Sequence, residues 1–493
     1  MKKVKLLSIP LFLIVLATGC KKEYLETRPS TGVLEQDIFS STAKISSALE
    51  GIYKHLFAFA PNGSTRHDNF GQKGWDLSSD LMGNDMVVHT QGYGWFNASY
   101  QYTEWLSPLN GRHSANAWFF YNSIVKQSNM ILANIDGAQG TAAEKELIKG
   151  EALGLRAYAY FYLANYWQHT YKGNENAPGV PVYTTSSVQG KGRGKLSDVY
   201  AQIEADLAAA APLLTGKPRA NKNRVDISVV RGFQARVALL KEEWAAAATA
   251  ANQARTGYTL MTPSQYQEGF SKMSNPEFMW GSTIPAAEAT IYASFYSHID
   301  ITNNGYAGLG GQKKITKDLY DQIPTGDVRK TVFRAPGTGT SANPDYNQLK
   351  FRVPIAGSWE ADYLYMRAAE MYLIEAEALA RAGNDATART VLQTLVQSRY
   401  PAYSAAGLSG TALLNEIMLQ RRIELWGEGH SLIDIKRWKT GLNRPTGAGN
   451  HGAPNFNPAI YTTAPADGRM LMRIPQSELD SNSEMTPADQ NPF

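Results

Sequence analysis

The chain has 493 residues with a formal net charge of +4, and its mature part has room for two or three domains. A charge this close to neutral argues against binding to nucleic acid or to anionic lipid through a strongly basic surface. The single cysteine excludes a disulfide framework and a thiolate metal site, whereas 10 Trp and 26 Tyr are an unusually rich aromatic supply.

The first 19 residues are organised as a secretory signal peptide. Lysines at positions 2, 3 and 5 precede an apolar run over 6–16, which is too short to span a bilayer, and small residues follow at 17–19. Cys20 comes directly after them, as a bacterial lipoprotein processing site requires, so we predict that acylated Cys20 becomes the new N-terminus. The alternative is an ordinary signal peptide with a chance cysteine nearby. Cleavage removes three lysines and no acid, which lowers the net charge from +4 to +1.

After the lipidation site, residues 20–37 are polar, contain Pro29 and predict an extended tether. The body would then cover 38–493. No second apolar stretch of 18 or more residues follows in the sequence, which favours a body held at a membrane by lipid alone.

Apolar residues at helical spacing alternate along the body with two irregular stretches rich in Gly, Asn, Pro and aromatic residues. The spacing predicts helices over 38–59, 114–135, 142–168, 197–214, 226–255, 361–382, 385–400 and 411–427. We therefore predict a mostly α fold, a scaffold of tetratricopeptide-like helical hairpins over about 38–60, 112–260 and 360–440. The irregular parts, about 61–111 and 262–358, would be carried on this scaffold and bind the ligand.

A dense charged block occupies 421–437. Its charges alternate at spacings of three and four, which is typical of ion pairs and helix caps; they are Arg421, Arg422, Glu424, Glu428, Asp434, Lys436 and Arg437. The functional alternative is that Glu424 and Glu428 form a glycosidase carboxylate pair, which would have to flank a sugar cleft at a defined separation.

Other motifs of catalysis and cofactor binding are missing from the sequence. The eight histidines are scattered without an HExxH pair, no GxSxG elbow occurs, and the adjacent His67 and Asp68 favour a surface role. The basic run 190–195 resembles a phosphate loop, but Gln189 and Leu196 stand where that motif needs Gly and Ser or Thr. We predict no metal, no cofactor and no catalytic residue.

Two aromatic clusters remain, over 75–105 and 291–298, and the second precedes Asn303, Asn304 and Tyr306. A flat ring can cover the apolar C–H face of a sugar while neighbouring Asn, Asp or Arg side chains hydrogen-bond its hydroxyl edge. Tyr and Trp lose little side-chain entropy on binding, which suits a preformed platform. Aromatic residues within the predicted helices, such as Trp118 and Tyr160, are instead expected to pack in the core.

Four segments in a fixed order carry a family resemblance. They are the lipidated Cys20 with Tyr24-Leu25-Glu26 and Pro29, EALGLRAYAYFYLANYW with Pro178–Pro181, YLYMRAAEMYLIEAEALARAG, and QRRIELWGEGHSLIDIKRW with the C-terminal MLMRIPQSELDSNSEMTPADQNPF. The chain resembles the SusD/RagB family of outer-membrane lipoproteins over nearly its whole mature length. The spacing of its IP..E and QNP elements departs from the family's more compact tail.

The resemblance implies a cell-surface, non-catalytic lipoprotein of the outer membrane, which binds a nutrient oligosaccharide and delivers it to a SusC-like TonB-dependent transporter. It also implies a ligand face built from the two irregular parts. Within them the predicted ligand-binding residues are Trp75, Asp80, Tyr93, Trp95, Asn97, Trp105, Tyr292 and Tyr296.

Three other functions stay open at this point. The first is capture of peptides, as in the RagB branch; the second is a surface glycosidase, and the third is a plain helical-repeat scaffold. The density of Trp and Tyr over 75–105 favours sugar over peptide.

Overall fold

The computed structural model describes residues 38–61, 63–103 and 112–492, and helices dominate these residues. The first helices are α1 Thr42–His55, α2 Gln72–Leu81, α3 Asn97–Gln101, α4 Arg112–Asn134, α5 Ala142–Trp167, α6 Leu196–Leu214, α7 Ile227–Lys241 and α8 Trp244–Arg255. Those that follow are α9 Pro263–Tyr266, α10 Phe295–Ile299, α11 Lys317–Asp321, α12 Val328–Thr331, α13 Ala368–Arg381, α14 Asp385–Gln397, α15 Gly410–Glu424, α16 Ser431–Trp438 and α17 Gln476–Ser481. None of the helices in these ranges combines the length and the hydropathy needed to cross a membrane.

The long helices form a chain of neighbours. Each of α4 to α7 packs against the next, α8 packs against α13, and α13 packs against both α14 and α15. This arrangement confirms the predicted mostly α fold with a scaffold of helical hairpins.

Helix α5 shows how the scaffold is built. A capping box between Thr141 and Glu144 defines its N-terminus, and every residue from Gly150 to Trp167 is buried. Gly154 lets the chain before α7 approach closely, because a Cβ there would lie 2.9 Å from Val225 Cγ1. A helix buried on all sides fixes its neighbours, so α5 is the centre of the scaffold.

The described strands form two short antiparallel sheets. They are β1 Met86–Val88 with β3 Lys313–Ile315, and β2 Phe278–Ser282 with β4 Tyr363–Arg367. The register of the first sheet places Met86 opposite Ile315 and Val88 opposite Lys313. The β1–β3 ladder therefore joins the two stretches that the sequence predicts to be irregular.

Several elements differ from the sequence-based prediction. The helix predicted over 226–255 is two helices, α7 and α8, because the chain turns at Glu242, which has a φ of +61°. Helix α2 lies within the stretch predicted as irregular, and all ten of its residues are buried, including polar ones such as Lys73, Asp76 and Asp80, so its polar residues do not mark a solvent-exposed helix face.

The predicted helix over 361–382 is instead strand β4 followed directly by α13. All five residues of β4 are buried, and a short apolar run does not distinguish a buried strand from a buried helix.

Eight buried charges meet where β4, α14 and α15 converge. This central ion cluster consists of Glu277, Asp327, Arg329, Lys350, Arg367, Arg399, Glu424 and Glu428. Arg367 lies at its middle, 2.7 Å from carboxylate oxygens of Glu277, Glu424 and Glu428.

The central ion cluster and its surroundings confirm that the block at 421–437 makes ion pairs. Arg421 bonds Asp434 at 2.7 Å, and Arg437 bonds Glu377 at 2.7 Å. Glu424 and Glu428 are buried among cations, so neither carboxylate is open to a sugar cleft.

Candidate functional site

Three loop segments, within 56–71, 89–96 and 283–312, meet at one place on the surface. The β1–β3 ladder aligns the second with the third, and His89 N continues it by donating to Gln312 O at 3.0 Å. Gly92 has a φ of +53°, and a Cβ there would lie 3.0 Å from Gly311 Cα. Only glycine fits this close approach without strain, so the two loops are held together by backbone.

The first loop is attached to the third through α10. A ring nitrogen of His298, Nε2, lies 2.8 Å from His67 O, which accepts its hydrogen bond. Tyr306 N donates to Ser297 Oγ at 3.1 Å, and Ala307 N donates to Ser297 O at 2.7 Å. These bonds fix the positions of His67 and Tyr306 before any ligand arrives.

Six rings from these loops form one continuous group, which we call the aromatic surface. They are Phe59, His67, Tyr93, Trp95, Tyr292 and Tyr306. His67 is its middle: its ring stacks on Trp95 at 5.2 Å between centroids and is nearly parallel to Tyr292 at 6.0 Å. Tyr306 contacts Tyr93 at 5.1 Å and Tyr292 at 5.3 Å, so the rings support one another.

These rings differ from the packed core of a loop because most of them are exposed to solvent. Tyr93 is 66% exposed, Tyr292 41% and Phe59 38%. His67 and Trp95 are half-buried, and Tyr306 is buried beneath the others. Large apolar side chains exposed together in a rigid setting are typical of a binding site.

The floor beneath the rings is apolar and uncharged. His298 stacks under Tyr306 at 4.9 Å and also contacts Phe70 and Phe96. Burial lowers the pKa of His298 to about 3, so the imidazole is neutral at physiological pH. The floor therefore contributes packing rather than charge.

Polar groups lie at the edge of the aromatic surface. The Arg66 guanidinium lies 5.4 Å from the centre of the Trp95 ring, and its Nη2 donates to Asp68 at 2.7 Å. Burial alone would raise the pKa of Asp68, but His113 and Arg66 together hold it below its usual range. Gln91 and Asn304 are exposed nearby in the loops.

A hydrogen bond links the two central rings. Nδ1 of His67 lies 2.6 Å from the Tyr306 hydroxyl. Burial raises the pKa of Tyr306, so this phenol remains protonated at neutral pH. The bond orients the imidazole plane that Trp95 and Tyr292 stack against. Chemically, the surface offers flat apolar faces with hydrogen-bonding groups at the rim, which is what sugar rings need.

The structure brings together three of the predicted ligand-binding residues, namely Tyr93, Trp95 and Tyr292. Cys20 and Trp105 lie outside the described residues. The other four are buried elsewhere.

Each of these four buried residues has a structural partner or a place in the core. Trp75 is 1% exposed in α2, and Tyr296 is 2% exposed, with its hydroxyl donating to Phe270 O at 2.7 Å. Asp80 accepts from Gly429 N at 2.8 Å and Ser431 N at 3.1 Å, and burial raises its pKa to about 7. The Asn97 amide donates to Gln91 O at 3.3 Å. In this structure, none of the four presents its side chain at the aromatic surface.

Sequence reasoning left three rings out of the predicted site, namely Phe59, His67 and Tyr306. Tyr306 follows the second aromatic cluster, and the sequence favours only a surface role for His67. The usable signal was that His67 and Tyr306 lie in stretches rich in glycine and asparagine, outside helical periodicity, whereas Phe59 ends the helix predicted over 38–59.

The described residues hold no group of three or more His, Cys, Asp or Glu side chains that could bind a metal ion. The aromatic surface itself contains no carboxylate. The functional groups of this surface are therefore its six rings and the polar residues at its edge.

Two family models match the sequence. Residues 355–493 match the model described as the SusD family, and residues 23–239 match the model described as starch-binding, associating with outer membrane. No curated protein matches the chain.

Several crystal structures share the fold. A SusD-like carbohydrate binding protein from Bacteroides vulgatus has 29% identity and a TM-score of 0.81, covering 92% of this chain and 99% of its own. A putative sugar binding protein from the same species has 26% identity and a TM-score of 0.77, with 92% and 98% covered. A SusD superfamily protein from Bacteroides thetaiotaomicron, at 21% identity, has a TM-score of 0.79 and coverage of 92% and 100%, a likeness of fold.

Proposed function

Because the chain belongs to the SusD family, we propose that it is a nutrient-binding protein of the outer-membrane surface and that its aromatic surface captures an oligosaccharide. One observation carries the proposal: six mutually supporting rings meet at the junction of three loops, and all of them except the buried Tyr306 are exposed or half-buried. The relatives at 29% and 26% identity are described as carbohydrate or sugar binding, which supports a sugar as the cargo.

Stacking would supply most of the binding energy. Tyr292, His67 and Trp95 form a nearly parallel series of rings, and the C–H faces of sugar units would lie against the parts of these rings that their mutual stacking leaves exposed. The hydroxyl edges would then meet Arg66, Gln91 and Asn304 at the rim. Since the rings already pack on one another, little conformational entropy is lost when the ligand binds.

Binding would proceed without turnover. Glycoside hydrolysis needs two carboxyl groups flanking the scissile bond, at about 5 to 9.5 Å from one another. Asp68, beside the rings, is buried and paired with Arg66 and His113. Incubation with polysaccharides should therefore generate no new reducing ends, and measurable turnover would contradict a role in capture alone.

Calorimetry with a panel of oligosaccharides tests the proposal directly. At least one glycan should bind, and replacing Trp95 and Tyr292 together by Ala should weaken it about 30-fold or more, at about 1 to 2 kcal/mol for each ring removed from the contact. The matched control is Phe119→Ala on α4, since Phe119 is 42% exposed and lies outside the aromatic surface. Unchanged affinity in the double variant, or binding of peptides but no glycan, would overturn the assignment.

The cargo would pass to a SusC-like TonB-dependent transporter in the same membrane, with Cys20 as the lipid anchor. Cys20→Ser should release the chain from membrane fractions while leaving glycan affinity unchanged. Loss of both properties together would contradict this division between anchor and binding surface. Co-purification of a transporter with the wild-type chain tests the partnership.

A further inference from the structure

The third loop of the aromatic surface ends in a run of residues with little conformational restraint of its own. Four of the seven residues over 305–311 are glycine, and Tyr306 is the only ring among them. Glycine loses more backbone freedom on folding than any other residue, so contacts from outside the run must hold it in one conformation. Ser297 provides two of these contacts, as described above, and Thr90 Oγ1 provides another by donating to Gly310 O.

A buried lysine of β3 holds the end of this run. Lys313 is 3% exposed, and its Nζ donates to Gly311 O at 2.9 Å. Gly311 N in turn donates to Tyr306 O at 2.9 Å. Gly311 is also the residue that Gly92 approaches closely, and Gly92 directly precedes Tyr93 in the second loop. Lys313 therefore holds the residue through which both Tyr306 and Tyr93 are positioned.

The amine of Lys313 is poorly satisfied in its buried position. Gly311 O is its only hydrogen-bond acceptor among the described residues, and none of their acids forms an ion pair with it. In contrast, Lys350 of the central ion cluster donates to three acceptors, including Glu428 at 2.6 Å. Burial lowers the pKa of Lys313 to about 7, because the folded chain disfavours its charge. The fold would therefore lose little if an apolar side chain of similar length replaced Lys313.

We propose that Lys313 is a positioning residue of the aromatic surface, which keeps Gly311 in place and thereby fixes Tyr306 and Tyr93 for the ligand. This role rests on the oligosaccharide binding proposed above. Because Lys313 is buried beneath the loop, it acts on the ligand only through the backbone that it holds. Without its hydrogen bond, the glycine-rich run would sample other conformations, and the ligand would have to select the competent one.

A purely structural role for Lys313 predicts a different result. Methionine has a similar length but no N–H group, so Lys313→Met removes the hydrogen bond and keeps most of the packing. If the hydrogen bond mainly stabilises the fold, the melting temperature of the variant should fall. If Lys313 is a positioning residue, the melting temperature should be equal or higher, because a costly buried charge is removed, while glycan binding becomes weaker.

Lys314 provides a matched control on the same strand. It is 5% exposed, and successive side chains of a strand point to opposite faces, so it lies on the other side of β3 from Lys313. Its Nζ lies 5.9 Å from the centre of the Tyr346 ring, which is not part of the aromatic surface. Burial also lowers the pKa of Lys314, to about 8. Lys314→Met therefore removes a similarly buried amine without releasing Gly311.

Calorimetry with the tightest-binding glycan of the panel, together with thermal denaturation, provides the first test. Lys313→Met should bind this glycan about threefold to tenfold more weakly than the wild type, the equivalent of one hydrogen bond, with an equal or higher melting temperature. Lys314→Met should bind it with unchanged affinity. Wild-type affinity of Lys313→Met, or a clear fall in its melting temperature, would overturn the proposal.

Amide hydrogen exchange, measured by mass spectrometry, tests the positioning without any ligand. Peptides that cover 305–311 should exchange about threefold to tenfold faster in Lys313→Met than in the wild type, and at the wild-type rate in Lys314→Met. Unchanged exchange in Lys313→Met would overturn the role of this residue even if no glycan of the panel binds. Glycan binding by the wild type would in that case still support oligosaccharide capture, so each proposal can fail without the other.

Discussion

The central ion cluster and the aromatic surface are both dense groups of one kind of side chain, and both are assembled from distant parts of the sequence. They differ in how completely the protein satisfies them. In the central ion cluster four cations and four anions pair within the core, and none of their side chains is more than 6% exposed. In the aromatic surface, three rings are each exposed by more than a third.

This difference in exposure and pairing assigns stability to the central ion cluster and binding to the aromatic surface. Buried charges that are fully paired cannot serve a ligand without losing a partner, and breaking such a pair is strongly destabilising. Exposed rings contribute little to the core and remain available for contact. Four measurements test this division.

The largest expected effect is that of Glu424→Ala. Removing this carboxylate leaves Arg329, Arg367 and Arg399 each short of a buried partner. We expect the free energy of unfolding to fall by about 3 to 5 kcal/mol or more, measured by urea denaturation. Glu288→Ala is the control, because it removes only the surface pair with Lys54 and should cost no more than about 1 kcal/mol. Equal costs for the two variants would contradict the role given to the cluster.

The next effect is acid lability. Burial alone would raise the pKa of Glu428, but Arg367 and Lys350 lower it to about 2, against about 4.3 in an unfolded chain. The ionised form therefore stabilises the fold above pH 4.3 by about 3 kcal/mol, and this contribution is lost as the pH falls towards 2.

Denaturation at a series of pH values checks this. The stability difference between the wild type and Glu428→Gln should be largest near neutral pH and should shrink between about pH 5 and pH 2. A difference that stays constant over this range would mean that Glu428 keeps an ordinary pKa in the folded chain.

A smaller effect is expected for Tyr306→Phe. The variant keeps the ring but removes the hydroxyl that contacts His67 Nδ1, so His67 is less firmly oriented for stacking. Glycan affinity should fall about threefold to tenfold, the equivalent of one hydrogen bond, as measured by calorimetry. The control is Tyr160→Phe on α5, which removes a hydroxyl that is hydrogen-bonded to the backbone of Tyr183. This variant should leave glycan affinity unchanged. The reverse pattern would place the binding site elsewhere.

The smallest effect is expected for Tyr93→Ala. Its ring is 66% exposed and contacts Tyr306 only at its edge, so the melting temperature should change little, by the equivalent of about 0.5 kcal/mol or less. Glycan affinity should fall only a few-fold, by about 0.5 to 1 kcal/mol. A large loss of stability would show that the aromatic surface is also structural.

The scaffold could be predicted from the sequence because its helices are long and repetitive. Over 142–168, helix-forming residues extend through seven turns, and a Thr–Glu capping box defines the start. Strand β4 escaped prediction because its five residues are buried on both faces and run straight into α13. Its register depends on β2, more than 80 residues earlier, as the pairing of Phe278 with Arg367 shows.

For the site, residue type predicted the region but not the individual rings. Tyr292 and Tyr296 lie four residues apart with similar neighbours, yet one is 41% exposed and the other 2%. Tyr296 is buried because its hydroxyl finds acceptors at Phe270 O and Asp362 O, far away in the chain. No local pattern encodes such distant partners, and for the same reason His67 could not be recognised as the central ring.

The stacking of His67 between Trp95 and Tyr292 also has a kinetic consequence. A surface whose rings are already in place needs no rearrangement before contact, so association should reach the ordinary range of about 10⁵ to 10⁷ M⁻¹s⁻¹. Differences in affinity between sugars would then lie in their dissociation rates. An open surface allows short residence times, and the proposed transfer of the ligand to a transporter would be faster when each residence is brief.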